Sequence, residues 1–162
     1  MTSILKVSEI QDPTNSNSAI TVDSSGNIAL PNISSNAFYR TGTWTVTDVS
    51  GNGLSLTQSE PAQYIRIGDL VYVNFYVTFP ASGGNSDQTK LGGLPFPSAT
   101  GKGYHYLAGR IEDYGAADVR FQIQHGESWG KPQQNNTNML NSQLAVSRYV
   151  IMSGCYIAES GT

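Results

Sequence analysis

Gln63-Tyr64-Ile65-Arg66-Ile67-Gly68-Asp69-Leu70-Val71-Tyr72-Val73-Asn74-Phe75-Tyr76-Val77-Thr78-Phe79 is the stretch that decides the fold. Its second arm alternates strictly. Val71, Val73, Phe75, Val77 and Phe79 point one way, and Leu70, Tyr72, Asn74, Tyr76 and Thr78 the other. A period of two is a strand signal, and the aliphatic and aromatic set belongs in a core. The mixed set is half wet or lies at an interface. Gly68-Asp69 between the arms predicts a two-residue hairpin of type I′ or II′.

The same grammar extends in both directions. Gly42-Thr43-Trp44-Thr45-Val46-Thr47-Asp48-Val49 alternates, with Trp44, Val46 and Asp48 on one face. Leu54 to Thr57, Tyr104 to Ile111, Asp118 to Gln124 and Ser147 to Ala158 read as further strands. Leu91-Gly92-Gly93-Leu94-Pro95-Phe96-Pro97 carries two prolines and suits an edge or an irregular crossing. Gly130 to Asn138 reads as a Pro/Gln/Asn-rich loop. Only Met139 to Ser147 offers a helical turn. Short strands separated by Gly and Asn turns predict an all-β antiparallel sandwich or jelly-roll-like body.

Residues 1–38 read differently from the body at 39–162. Ile4 to Ile10, Ala19 to Asp23 and Ile28 onwards are thin strand signals joined by polar turns. Each offers two or three apolar side chains, too few to offset an ordering cost of about 1–2 kcal/mol per residue. The segment is expected to assemble against copies of itself or a partner, through Ile4, Val7, Ile10, Ile20, Val22, Ile28 and Leu30.

Composition narrows function. Charged residues make up 13% of the 162-residue chain and the net charge is −3, against about 25% charged residues in ordinary domains. No basic run exists for nucleic acid, no apolar stretch reaches about 18 residues, and no leader-like pattern opens the chain. Neither nucleic acid nor membrane insertion is therefore expected. Low net charge also predicts attachment that depends weakly on salt.

Catalytic signals are poor. Gly126-Glu127-Ser128-Trp129-Gly130 matches the nucleophile-elbow pattern, but no Asp or His follows it and no helix is expected there. A Gly-flanked turn is the expected reading. His105 and His125 are isolated, and Glu112 and Asp113, read as strand neighbours, point apart. Cys155 is the single cysteine and is expected to be a buried core thiol. No catalytic residue, metal or cofactor is expected. Tyr104, Tyr106, Tyr114 and Trp129, with Gln133, Asn135 and Asn136, form the candidate recognition set, since rings stack on sugars and amides bond hydroxyls.

Ile4-Leu5-Lys6-Val7-Ser8-Glu9-Ile10 with Ala19 to Ile28, then Gly42-Thr43-Trp44-Thr45, Tyr64 to Val73, and Gly93-Leu94-Pro95-Phe96 together resemble tail-fibre-like virion proteins of tailed bacteriophages, notably marine and cyanobacterial ones. Arg66 stands where a lysine is usual there, and Val46 where a proline is usual. The resemblance implies a non-enzymatic virion structural protein, a short tail fibre or receptor-binding subunit. It also implies a homotrimer that contacts other virion proteins, while the aromatic and amide set points to a host surface glycan. Such a protein is assembled in the host cytoplasm and released by lysis. A capsid decoration or cement protein is the alternative, and an enzyme acting on surface glycans is a third class.

Overall fold

A computed structural model of the chain describes residues 9–11, 18–22, 24–25, 28–29, 39–114 and 119–159. The chain builds two antiparallel sheets. The first is a meander of β1 (Glu9–Gln11), β2 (Ser18–Val22) and β3 (Ile28–Ala29). Its register sets Ile10 opposite Ile20 and Val22 opposite Ile28. Ile4, Val7 and Leu30 lie outside the described residues. No described residue of this sheet pairs with a strand of the body.

The body is a single ten-stranded sheet. In chain order its strands are β4 (Tyr39–Trp44), β5 (Thr47–Asp48), β6 (Ala62–Ile67), β7 (Leu70–Thr78), β8 (Leu91–Gly92), β9 (His105–Ile111), β10 (Val119–Ile123), β11 (Trp129–Gln134), β12 (Thr137–Asn138) and β13 (Tyr149–Ile157). In space they run β4-β6-β7-β13-β9-β10-β11-β8-β5, with β12 on β11. The first and last strands of that path are consecutive in the chain, so the sheet curls on itself. The two layers expected from sequence are opposite walls of this one sheet. The helical signal survives as a single turn, α1 (Asn141–Leu144).

Closure happens at Thr45–Val46, where the chain leaves β6 and picks up β8. Two devices make the corner possible. Val46, whose N–H has left the ladder, donates to Gln58 Oε1 at 2.7 Å. Gly93 passes so close that a Cβ there would meet the Thr45 carbonyl oxygen at 2.0 Å, and its φ of +87° already favours glycine.

The β6–β7 hairpin forms as the sequence predicts. Ile67 pairs directly with Leu70, and Gly68 has φ 59°. Asp69 is not among the residues with positive φ, which selects type II′ over I′. Val71, Val73, Phe75, Val77 and Phe79 are all buried. Phe75 sits edge-on to Trp44 at 5.6 Å and to Phe121 of β10 at 5.4 Å. Since β13 and β9 separate β7 from β10 in the sheet, that second contact spans the core.

Several sequence expectations change. Leu54 to Thr57 forms only an isolated bridge, Thr57 to Thr78. Gly130 to Asn138 is not a loop but a hairpin. Gln134 pairs with Thr137 across Asn135-Asn136, both with positive φ (49° and 64°), which is a type I′ turn. Pro132 is tolerated inside β11 because its missing donor faces the gap where β11's outer neighbour changes from β12 to β8. Cys155 is exposed rather than buried. It shares the outward register of β13 opposite Tyr72, because the inward positions belong to Met152 and Tyr156. Glu112 and Asp113 lie in the turn after β9 rather than in a strand.

One end of the barrel is closed by a buried arginine. Arg66 is 2% exposed. Its Nε donates to the Gly68 carbonyl at 2.7 Å, its Nη2 to the Glu159 carbonyl at 3.3 Å, and its guanidinium lies 4.4 Å from the Phe96 ring centre. A planar fork with a stacking face performs all three tasks, and an ammonium does not. Arg66→Lys is therefore expected to lower unfolding free energy by about 1–3 kcal/mol, measured by urea denaturation. Phe75→Ala, which empties the centre of the cross-layer contact, should cost about 3–5 kcal/mol in the same assay. A loss near zero would mean that the core lies elsewhere.

Candidate functional site

The seven recognition candidates fall at two ends of the barrel. β9, β10 and β11 run alternately up and down, so their junctions group by end. Tyr104 precedes β9, Tyr106 lies near its start, and Trp129 opens β11. These share the end that holds the Gly68-Asp69 turn, and Tyr39, where the body begins, pairs with Ile67 at that same end. Hydrogen bonds knit this end together: Ala158 N to Asp69 O, Glu159 N to Pro97 O, and Ser98 N to Glu127 O.

Tyr114, Gln133, Asn135 and Asn136 belong to the opposite end. Asn141 organises that end. Fully buried, it donates through Nδ2 to Ser50 Oγ at 3.0 Å and to Asn85 Oδ1 at 2.9 Å. Here two candidates prove to be braces. Tyr114 packs on the core, accepts from Arg148 Nη1 at 3.2 Å and lies under that guanidinium. Gln133 is 6% exposed and donates to Asn138 Oδ1 at 2.8 Å. Asn135 and Asn136 are exposed, but they owe their identity to the left-handed conformation of the turn, which Asn tolerates. A shallow depression of about 210 Å³ lies beside them, lined by Gln134, Thr137, Asn138, Met139 and Gln143.

The first end carries the more open surface. Tyr104 and Tyr106 are 49% and 46% exposed. Register places Tyr106, Gln122 and Lys131 in one row across β9, β10 and β11, and Ala108, Arg120 and Gln133 in the next. Gln122 Nε2 donates to Tyr106 Oη at 2.8 Å, and Gln124 Nε2 reaches Tyr104 Oη at 3.5 Å. Arg120 sits 5.1 Å from the Tyr106 ring centre. Lys90 and Lys131 both approach Trp129, at 5.2 and 5.7 Å, while its indole N–H donates to Glu127 Oε2 at 3.0 Å. The clean alternation of Val119 to Gln124 already puts Arg120, Gln122 and Gln124 on one face. Nothing in the sequence brings Lys90 to Trp129, because that meeting depends on β8 docking against β11.

The adjoining outer face, made by β6, β7 and β13, is different in kind. Its outward positions carry no charged residue. Ile65, Ile67, Leu70, Tyr72, Ile151 and Cys155 are exposed on it.

Gly126-Glu127-Ser128-Trp129-Gly130 does not form the strand-to-helix turn of a nucleophile elbow. Gly126 occupies a turn closed by Glu127 N to Gln124 O, and Ser128 leads into β11 rather than into a helix. Among the described residues no cluster of His, Cys, Asp or Glu is arranged to hold a metal ion. No described helix is long and apolar enough to cross a membrane. No protein-family model, no curated protein and no solved structure matches the chain.

His105 points inward at this end, with its ring 6.4 Å from that of Tyr156. Burial lowers its pKa below the usual value, and its Nε2 has no hydrogen-bond partner among the described residues. Burial likewise raises the Tyr156 hydroxyl pKa well above its ordinary value, although that hydroxyl donates to the Phe96 carbonyl at 2.8 Å. For His105 the unfolded chain binds the proton more readily. Its neutral form therefore contributes full stability above about pH 6.5, and the contribution declines as pH falls below that. The melting temperature should drop between about pH 7.5 and 5, and His105→Gln should flatten that drop. An equally steep profile in the variant would place the titrating group elsewhere.

Proposed function

We propose that this chain is a non-enzymatic virion structural protein of a tailed bacteriophage, a short tail fibre or receptor-binding subunit that mediates host attachment. The observation that carries the reading is the division of labour along the chain. A small three-stranded sheet shares no described pairing with the body, and a curled ten-stranded sheet presents an open face of tyrosines, glutamines and cations. The first suits assembly, and the second suits recognition on a rigid scaffold. Three copies joined through the N-terminal strands would present three weak sites together and gain by effective concentration. The ligand surface is best placed on the β9–β11 face, where Tyr104, Tyr106 and Trp129 meet. Tyr114 and Gln133 serve the scaffold.

The uncharged face of β6, β7 and β13 favours a second reading, a capsid decoration protein. Such a face suits permanent burial against a lattice more than it suits free solution. Locating the protein in purified particles by immunogold labelling separates the two, since tail label supports attachment and label over the capsid supports decoration.

Deleting residues 1–38 should leave a body with an unchanged β-type circular dichroism spectrum that elutes as a monomer and fails to assemble onto particles. Particles bearing Trp129→Ala should adsorb to host cells less well while the melting temperature of the body stays near wild type. Normal adsorption by that variant would remove Trp129 from the recognition surface.

A further inference from the structure

We infer that the outer face of β8 to β11 binds an acidic polysaccharide whose sugars carry carboxylates, with Lys90 and Lys131 as the groups that hold the anion. This deepens the attachment reading and rests on it.

The argument starts from Trp129. The indole, fixed by its N–H bond to Glu127, has two ammonium groups against its ring. β11 and β8 pair Trp129 with Gly92 and Gly130 with Leu91, so Lys131 and Lys90 are the residues next to the last pair on the two strands. Neither lysine forms an ion pair among the described residues. Lys131 has only the neutral Gln88 Oε1, at 2.9 Å, and Glu127 is engaged by the indole. Two ammonium groups thus share one indole with no ion pair of their own, the Glu127 carboxylate resting on the indole N–H, and a ligand carboxylate reaching both lysines would pair with each. Arg120, one row away on β10, and Arg110, which lies over Tyr149, extend the positive strip.

The neighbouring groups specify a sugar. The Gln122–Tyr106 and Gln124–Tyr104 pairs offer donors and acceptors for hydroxyls directly beside the cations. Their rings are already engaged, Tyr106 by Arg120, Trp129 by the lysines and Tyr104 by the edge of His125. Anion contact and hydroxyl bonding therefore outweigh ring stacking. A nucleic acid, with one charge per about 1.7 Å of duplex, needs a longer basic stripe than this strip supplies. The local field also revises the expectation of weak salt dependence, since screening acts over about 8 Å at physiological ionic strength and these cations lie within that range of a bound carboxylate.

The test uses the full-length chain and isothermal titration calorimetry. Probes are oligogalacturonate, its methyl ester and a short DNA duplex. Oligogalacturonate should bind, and the ester should bind about tenfold more weakly, as expected when charge-assisted bonds are lost. Lys90→Gln with Lys131→Gln should produce a similar loss at unchanged melting temperature, and Lys131→Arg should retain binding. Raising NaCl to about 0.5 M should reproduce the loss. Equal affinity for acid and ester, or an unaffected double variant, would overturn the inference and leave the attachment reading standing. Equal or tighter binding of the DNA would overturn it in favour of a general polyanion surface. Binding of no polysaccharide at all would also overturn it, while host adsorption by the variant particles decides the attachment reading independently.

Discussion

The structure depends on one stretch of chain serving both ends of one sheet. Residues 39 to 48 enter as β4 against β6 and leave as β5 against β8. A sheet that curls in this way leaves only β4 and the two-residue β5 as terminal strands of its path. Closure also brings opposite walls close enough for Phe75 to touch Phe121. The corner tolerates little change, because the Thr45 carbonyl oxygen fills the space that a side chain at residue 93 would need.

The two ends of the barrel follow from this closure and are held by different chemistry. At one, a buried cation bonds to carbonyls of the β6–β7 turn and of the C-terminal strand's exit, and stacks on Phe96. A buried charge is tolerated when its donors are satisfied and its plane is covered. At the other, a neutral amide, Asn141, ties together the loops around Ser50 and Asn85. The first arrangement keeps the surface around Tyr104, Tyr106 and Trp129 on a rigid base, which the proposed recognition role requires.

The outside of the barrel divides as clearly. β6, β7 and β13 expose an uncharged face, and β8 to β11 expose cations resting on aromatic rings. A chain with few charges has concentrated several of its positive ones on one side. Average composition conceals this, since net charge sums over surfaces that a ligand never meets together.

Much of the body was legible because alternation is a local property. The inward row of β7, the Gly68-Asp69 hairpin and the helical turn near residue 141 follow from residue types and spacing alone. Cys155 misleads because an apolar residue in an apolar run carries no sign of which face it takes, and the register of β13 against β7 settles that. Asn135-Asn136 reads as surface chemistry although the same pair is a turn signal, and Pro132 masks the strand it lies in. Tyr114 and Gln133 are polar or amphipathic residues whose partners, Arg148 and Asn138, are supplied by packing.

Residue types and spacing establish that the chain is all-β, that short strand signals precede the body, and which row of β7 is buried. Period, turn chemistry and composition act within a few residues of one another. That the sheet curls on itself, that Arg66 lies inside it, and that Lys90 reaches Trp129 emerge only on folding. Each of these joins residues far apart in the chain, through strand order and register, and no local pattern encodes which strands become neighbours.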